Sequence, residues 1–178
     1  MLRPSDFYVL AGLAVNHDRP WTLRGLASEL QVDHTLVHRA LERADTAGLY
    51  LAGARAVNAG ELEQVLIHAA RFIAPAKLGE LVAGVPAAWA VEPIASLVHQ
   101  SGDDPPPVWP SATGHVRGQA FVPLHPAAVV AAAASTRLAE LLATIDTLRT
   151  RDPRLRAIAE SALGPLLKRH VHPSARAA

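Results

Sequence analysis

The chain has 178 residues, half of them apolar but only 4% aromatic, with 17 basic residues, 16 acidic residues and no cysteine. That length suits one domain, or a small domain with an accessory one, and the alanine-rich composition points to helices packed on small side chains. The missing cysteines exclude disulfides and thiolate zinc sites, and a net charge of +1 means that any nucleic-acid signal must lie in local charge distribution.

Taken in chain order, Ser5 and Asp6 are expected to cap a first helix with Phe7, Leu10, Ala11 and Ala14 on one face, closed by residues 16–20. The apolar stretch 10–15 is too short for a signal peptide and has Asp6 just ahead of it. The longest alanine run, 127–134, is far too short to span a bilayer, so a cytoplasmic protein with no membrane association is expected. Thr22 is placed to cap a short helix bearing Leu23, Leu26, Ala27 and Leu30. Gln31-Val32-Asp33 leaves room only for a tight corner. Asp33 then restarts a helix whose apolar stripe is Leu36, Val37, Ala40, Leu41 and Ala44, and Gly48 is placed to end it in a left-handed conformation. Short segments at 49–51 and 54–57 predict a small hairpin around Gly53. Asn58 is expected to cap a helix running through Leu62, Val65, Leu66 and Ala69 to about Ile73.

Residues 74–126 differ in kind, because nine of the 14 prolines fall there and proline removes hydrogen-bond donors. Gly102-Asp103-Asp104 and the proline run that follows predict an exposed loop, and the alternation over 116–122 predicts an extended segment. Trp89 and Trp109 speak for order, since a solvated linker rarely keeps such residues. With Phe121 they are either the core of this segment or the lining of an effector pocket. Arg117-Gly118 is read as a strand or turn with an exposed arginine, or as part of an anion site. An ordered, irregular connector with two short strands is therefore expected.

From residue 127 the pattern is helical again. One stripe carries Leu138, Leu141, Leu142, Ile145 and Leu148; Pro153 opens another helix with Leu155, Ile158, Ala159, Ala162, Leu163, Leu166 and Leu167. Two amphipathic helices must cover the connector, pack on the first domain or meet a second subunit, and the expectation is that at least one meets a second copy. The fold class is thus mainly α: a helical head with a short β ribbon over 1–73, a proline-rich connector over 74–126, and a helical dimerisation or partner-binding region over 127–178.

Leu26-Ala-Ser-Glu-Leu-Gln-Val32, followed by Val37-His-Arg-Ala-Leu41 and Ala47-Gly-Leu49, resembles the helix-turn-helix of bacterial winged-helix transcriptional regulators of the broad MarR-like type. The likeness lies within residues 1–73. It implies a winged helix in which the second helix of the pair is the recognition helix, with the hairpin as its wing. His34, Thr35, Leu36, His38 and Arg39 would then face double-stranded DNA, Arg43 would lie near a phosphate and Arg55 would sit in the wing. Arg39 is the leading base contact, because a guanidinium can grip guanine through two parallel hydrogen bonds; its other reading is an intrahelical pair with Glu42 or a solvated side chain. Thr35 can touch DNA or help cap the helix.

His34 and His38 stand four residues apart, a spacing at which two imidazoles can chelate a metal, but no further ligand accompanies them. Groove-facing polar residues are the expectation, with no metal. Asp103 and Asp104 are adjacent and point apart, which disfavours a paired-carboxylate mechanism. No phosphate-cradling glycine loop or nucleophile elbow is present, so neither an enzyme nor a cofactor is expected.

The charge distribution complicates the DNA reading. Residues 1–71 hold seven arginines or lysines against eight acids, where a DNA-binding module usually shows a basic face. Residues 149–178 hold seven basic residues (Arg149, Arg151, Arg154, Arg156, Lys168, Arg169 and Arg176) against Asp152 and Glu160. The missing charge is therefore expected from the carboxy-terminal part. The sequence reads as a homodimeric DNA-binding regulator, by default a repressor on a near-palindromic site. The competing reading is a protein-interaction module, such as the antitoxin or adaptor half of a toxin or defence pair whose partner is encoded nearby.

Overall fold

A computed structural model describes residues 1–98 and 104–171. Gly102, Asp103, His172 and Arg176 lie outside the described residues, as do the side chains of Arg169 and His170.

Helix α1 (Pro4–Val15) places Pro4 in its first turn, where the missing N–H is no loss. The cap comes from within the helix: Arg3 N–H donates to Oδ2 of Asp6 at 2.9 Å. Every residue from Asp6 to Val15 is buried, so α1 has no solvent face. The one-faced helix expected here is corrected because carboxy-terminal helices cover the side left free by the amino-terminal ones.

Two left-handed corners shape the next segment. Helix α2 (Leu23–Glu29) is capped by Thr22 Oγ1, which accepts the Gly25 N–H at 3.0 Å. It ends with Gln31 at φ 54°, and Val32 N–H donates back to Ala27 O at 2.9 Å. Helix α3 (His34–Thr46) ends the same way: Gly48 stands at φ 73° and Leu49 N–H reaches Ala44 O at 2.8 Å. This six-to-one closure needs a left-handed residue after the cap, which glycine supplies without strain. Leu49 turns inward and is buried. Strands β1 (Tyr50–Leu51) and β2 (Ala56–Val57) pair antiparallel, and α4 (Ala59–Ile73) follows. Asn58 is the N-cap residue of α4, as expected, but its side chain makes no capping bond; its Nδ2 donates to Gly48 O at 3.0 Å.

The proline-rich segment is more regular than expected. Strands β3 (Leu78–Pro86), β4 (Pro107–Pro110) and β5 (Val116–Phe121) form a small closed sheet, with β3 antiparallel to both others and β4 parallel to β5. The proline run is not wholly an exposed loop: Asp104 and Pro105 are exposed, but Pro107, Val108 and Trp109 are buried. Prolines are tolerated because their carbonyls still accept, Pro107 O from Ala87 N–H at 3.0 Å and Pro106 O from Gln119 N–H at 2.8 Å. Gly118 permits the closure, since a Cβ there would meet Pro106 O at 2.1 Å.

Helix α5 (Ala128–Ala133) stops before Ser135, whose Oγ accepts the Leu138 N–H at the start of α6 (Thr136–Leu148). Residues Leu141 to Leu148 are all buried, so the second half of α6 is a central helix and not an amphipathic one. Helix α7 (Pro153–Val171), opened by Asp152 capping the Arg154 and Leu155 amides, packs on α6, α4 and α1. The apolar stripes assigned to a second copy are therefore used inside the chain. Buried residues from all three sequence segments join one core cluster, which leaves the head and the carboxy-terminal helices sharing a core. Among the described residues, no helix is long and apolar enough to cross a membrane.

Candidate nucleic-acid interface

Helix α3 divides cleanly between core and solvent. Val37, Ala40, Leu41 and Ala44 are buried, whereas His34, Thr35, His38, Arg39 and Glu42 are exposed. Asp33 Oδ1 accepts the Thr35 N–H at 2.7 Å, and hydrogen bonding from Thr35 holds the Asp33 carboxyl below its ordinary range. The imidazole of His34 lies 3.5 Å from Asp33 Oδ2, and that of His38 lies 3.6 Å from Glu42 Oε1. Glu42 thus faces His38, leaving Arg39 without an ion-pair or hydrogen-bond partner among the described residues. Among those residues, no three metal-ligating side chains converge.

Two of the expected site residues are placed differently, and a third, Arg55, keeps its place in the hairpin. Leu36 is half-buried and packed against the core, as its place in the apolar stripe requires, so it is not a free groove contact. Arg43 reaches back to α1: its Nε donates to Asp6 Oδ2 at 2.9 Å and its Nη2 to Oδ1 at 2.6 Å. Asp6 is fully buried, and this bidentate grip keeps its charge compensated. Arg43 is consequently a brace for α3 and not a free cation beside a phosphate. Arg55, at φ 52°, stays exposed but is held, with its guanidinium 4.5 Å from the Trp21 ring centroid and its Nη2 donating to Trp21 O at 3.0 Å. Trp21 Nε1 returns a bond to Arg55 O at 3.1 Å, tying the hairpin tip to the segment before α2. Arg24, in the first turn of α2, is exposed without a carboxylate partner among the described residues. The sequence reading missed it, although a cation opposite Leu26 and Leu30 on that helix is legible as solvent-facing.

The carboxy-terminal basic stretch supplies less free charge than its composition suggests. Arg149 is 3% exposed and bonds to Ala74 O at 2.7 Å, Val122 O at 3.0 Å and the Asp146 carboxylate. Trp109 Nε1 donates to the other Asp146 oxygen at 2.8 Å. Burial pushes the Asp146 carboxyl up to about 6, against the opposing pull of Arg149 and Trp109. This network joins α6, β4 and the end of α4. Trp109 and Phe121 are core residues, with Trp89 edge-on to Phe121 at 6.2 Å, and Trp89 and Phe121 also border a cavity of about 480 Å³. Arg117 is an exposed strand residue.

The outward face of α3 can offer one unpaired guanidinium, two imidazoles and a hydroxyl to a groove. Asp33, Glu42 and Asp45 lie exposed on the same helix or at its start. In comparisons with known proteins, no family model, no curated protein and no solved structure matches this chain.

Proposed function

We propose that the chain is a sequence-specific DNA-binding regulator in which α1 to α4 with the β1–β2 hairpin act as a winged helix and α3 enters the major groove. The observation that carries this reading is the division of α3: its inner face is locked into the core while His34, Thr35, His38 and Arg39 face outward. A rigidly seated helix with an outward polar strip is what base readout requires. Arg39 is the base-reading residue. Arg24 and Arg55 are the backbone contacts, since Arg43 is bonded to Asp6.

So few cations bind a single phosphate backbone weakly, which favours a homodimer reading two half-sites. Its two-fold face must come from surface other than the buried half of α6. Repression follows if the bound dimer obstructs polymerase. The test is enrichment of duplexes from a random pool by the full chain, followed by titration of the enriched site. Arg39→Ala is expected to weaken that site by about 1–3 kcal/mol and bulk DNA much less. Failure to enrich any duplex, or equal losses on both DNAs, overturns the reading.

A second reading, a protein-interaction module, draws on a different observation. Leu78, Leu81 and Val122 are exposed on or beside the closed sheet, at 44%, 50% and 65%, and the charge of the head is not basic. Under it the chain forms a stoichiometric complex with a protein encoded nearby and ignores DNA.

A further inference from the structure

We propose that the cleft between the end of α4 and the start of α7 binds a small phosphate monoester. The cleft has a volume of about 360 Å³ and is lined by Arg71, Arg149, Arg151 and Arg156 together with Phe72, Pro75 and Ala76, with no acidic residue among its lining. Arg149 is already matched by Asp146 and two carbonyls. The other three guanidinium groups have no carboxylate partner among the described residues. Asp152, the neighbour of Arg151, caps the Arg154 and Leu155 amides.

Arg71 gives the second, independent observation. Its Nε is buried and makes no hydrogen bond, the one such side-chain atom among the described residues. A buried donor without an acceptor is rare in folded proteins and calls for a missing partner. The Arg71 guanidinium lies 4.6 Å from the Phe72 ring centroid, which occupies its face and leaves its edge of N–H donors for a ligand. Unmatched guanidinium groups converging on one cleft repel one another unless an anion sits among them.

The chemistry selects the anion. A carboxylate has two coplanar oxygens, matched by one arginine fork, whereas a terminal phosphate presents three oxygens to donors from several directions. A phosphodiester inside a duplex exposes only two such oxygens and stays on its helix, so it meets fewer of these donors than a free monoester seated in the cleft. Phe72, which is 71% exposed, and Pro75 add an apolar rim, and the volume suits an organic body on the phosphate. The inference stands without the DNA reading, since none of these residues lies on α3.

The experiment is calorimetric titration of the full chain with inorganic phosphate, AMP and adenosine at matched ionic strength. Saturable binding of AMP at one site per chain is expected, with phosphate weaker and adenosine inert. Arg71→Met, Arg151→Met and Arg156→Met should each weaken AMP about tenfold or more, the loss of one charge-assisted contact, while Arg154→Ala leaves it unchanged. Circular dichroism checks folding. Should Arg71→Met unfold, Arg151→Met carries the test, because Arg151 is exposed. The proposal is overturned by the absence of saturable binding of both phosphate and AMP in the millimolar range, by adenosine matching AMP, or by unchanged affinity in the variants. Displacement of AMP by a duplex without terminal phosphates also overturns it, because the backbone would then be the occupant.

Discussion

Replacing Arg43 by methionine separates two roles that the sequence alone does not distinguish. Asp6 has no exposed side-chain area and Arg43 only 23%, so removing the guanidinium leaves a carboxylate in the core with the Arg3 N–H as its remaining donor. Breaking a fully buried pair costs about 3–5 kcal/mol. Because Arg43 is partly solvated, about 2–3 kcal/mol is expected here, equivalent to roughly 5–10 °C in Tm for a chain of this size. Urea unfolding of Arg43→Met, Asp6→Asn and the double variant measures it. The double variant should recover at least about 1 kcal/mol relative to the sum of the singles. Arg43→Met should leave the salt dependence of DNA binding unchanged, whereas loss of a phosphate contact would lower its slope by about one. A cost below about 0.5 kcal/mol, as for an exposed pair, would refute the bracing argument.

The remaining predictions test other links. The Asp146 carboxyl titrates near 6 in the folded chain against an ordinary value of 3.8, so between those values the folded state holds the extra proton. The stability of the native chain relative to Asp146→Asn should therefore fall as pH rises through that window and level above it; urea midpoints that stay flat or rise would show that Arg149 outweighs desolvation. Trp109→Phe removes the donor to Asp146 and should cost about 1–3 kcal/mol in the same assay. Gly48→Ala places a Cβ at φ 73° and should cost about 1–2 kcal/mol; an unchanged Tm would remove the need for the left-handed corner. With Arg24 and Arg55 as the phosphate contacts of the head, the logarithmic salt slope of DNA binding should be roughly −2 per protomer, and a much steeper slope would locate phosphate contacts elsewhere.

Local devices were legible in the chain. Thr22, Asp33 and Gly48 act through partners within a few residues, so their roles at the ends of α2 and α3 follow from backbone chemistry alone. The same holds for the stripe Val37, Ala40, Leu41 and Ala44, and hence for which side of α3 faces outward. What needed the tertiary structure was every relation between distant segments. Whether Arg43 faces solvent depends on Asp6, which lies 37 residues away. Whether Arg149 is a surface charge depends on Asp146, Ala74 and Val122. Residues 74–126 read as irregular because proline blocks one side of a ladder, yet three short strands can close when their carbonyls remain free to accept. Helices α1 and α6 read as one-faced because periodicity reports only the most apolar side, and small residues such as Ala11 and Ala143 leave burial of the other side to neighbours. Pattern sets what a segment can bury; the partner that arrives from elsewhere in the chain sets what it does bury.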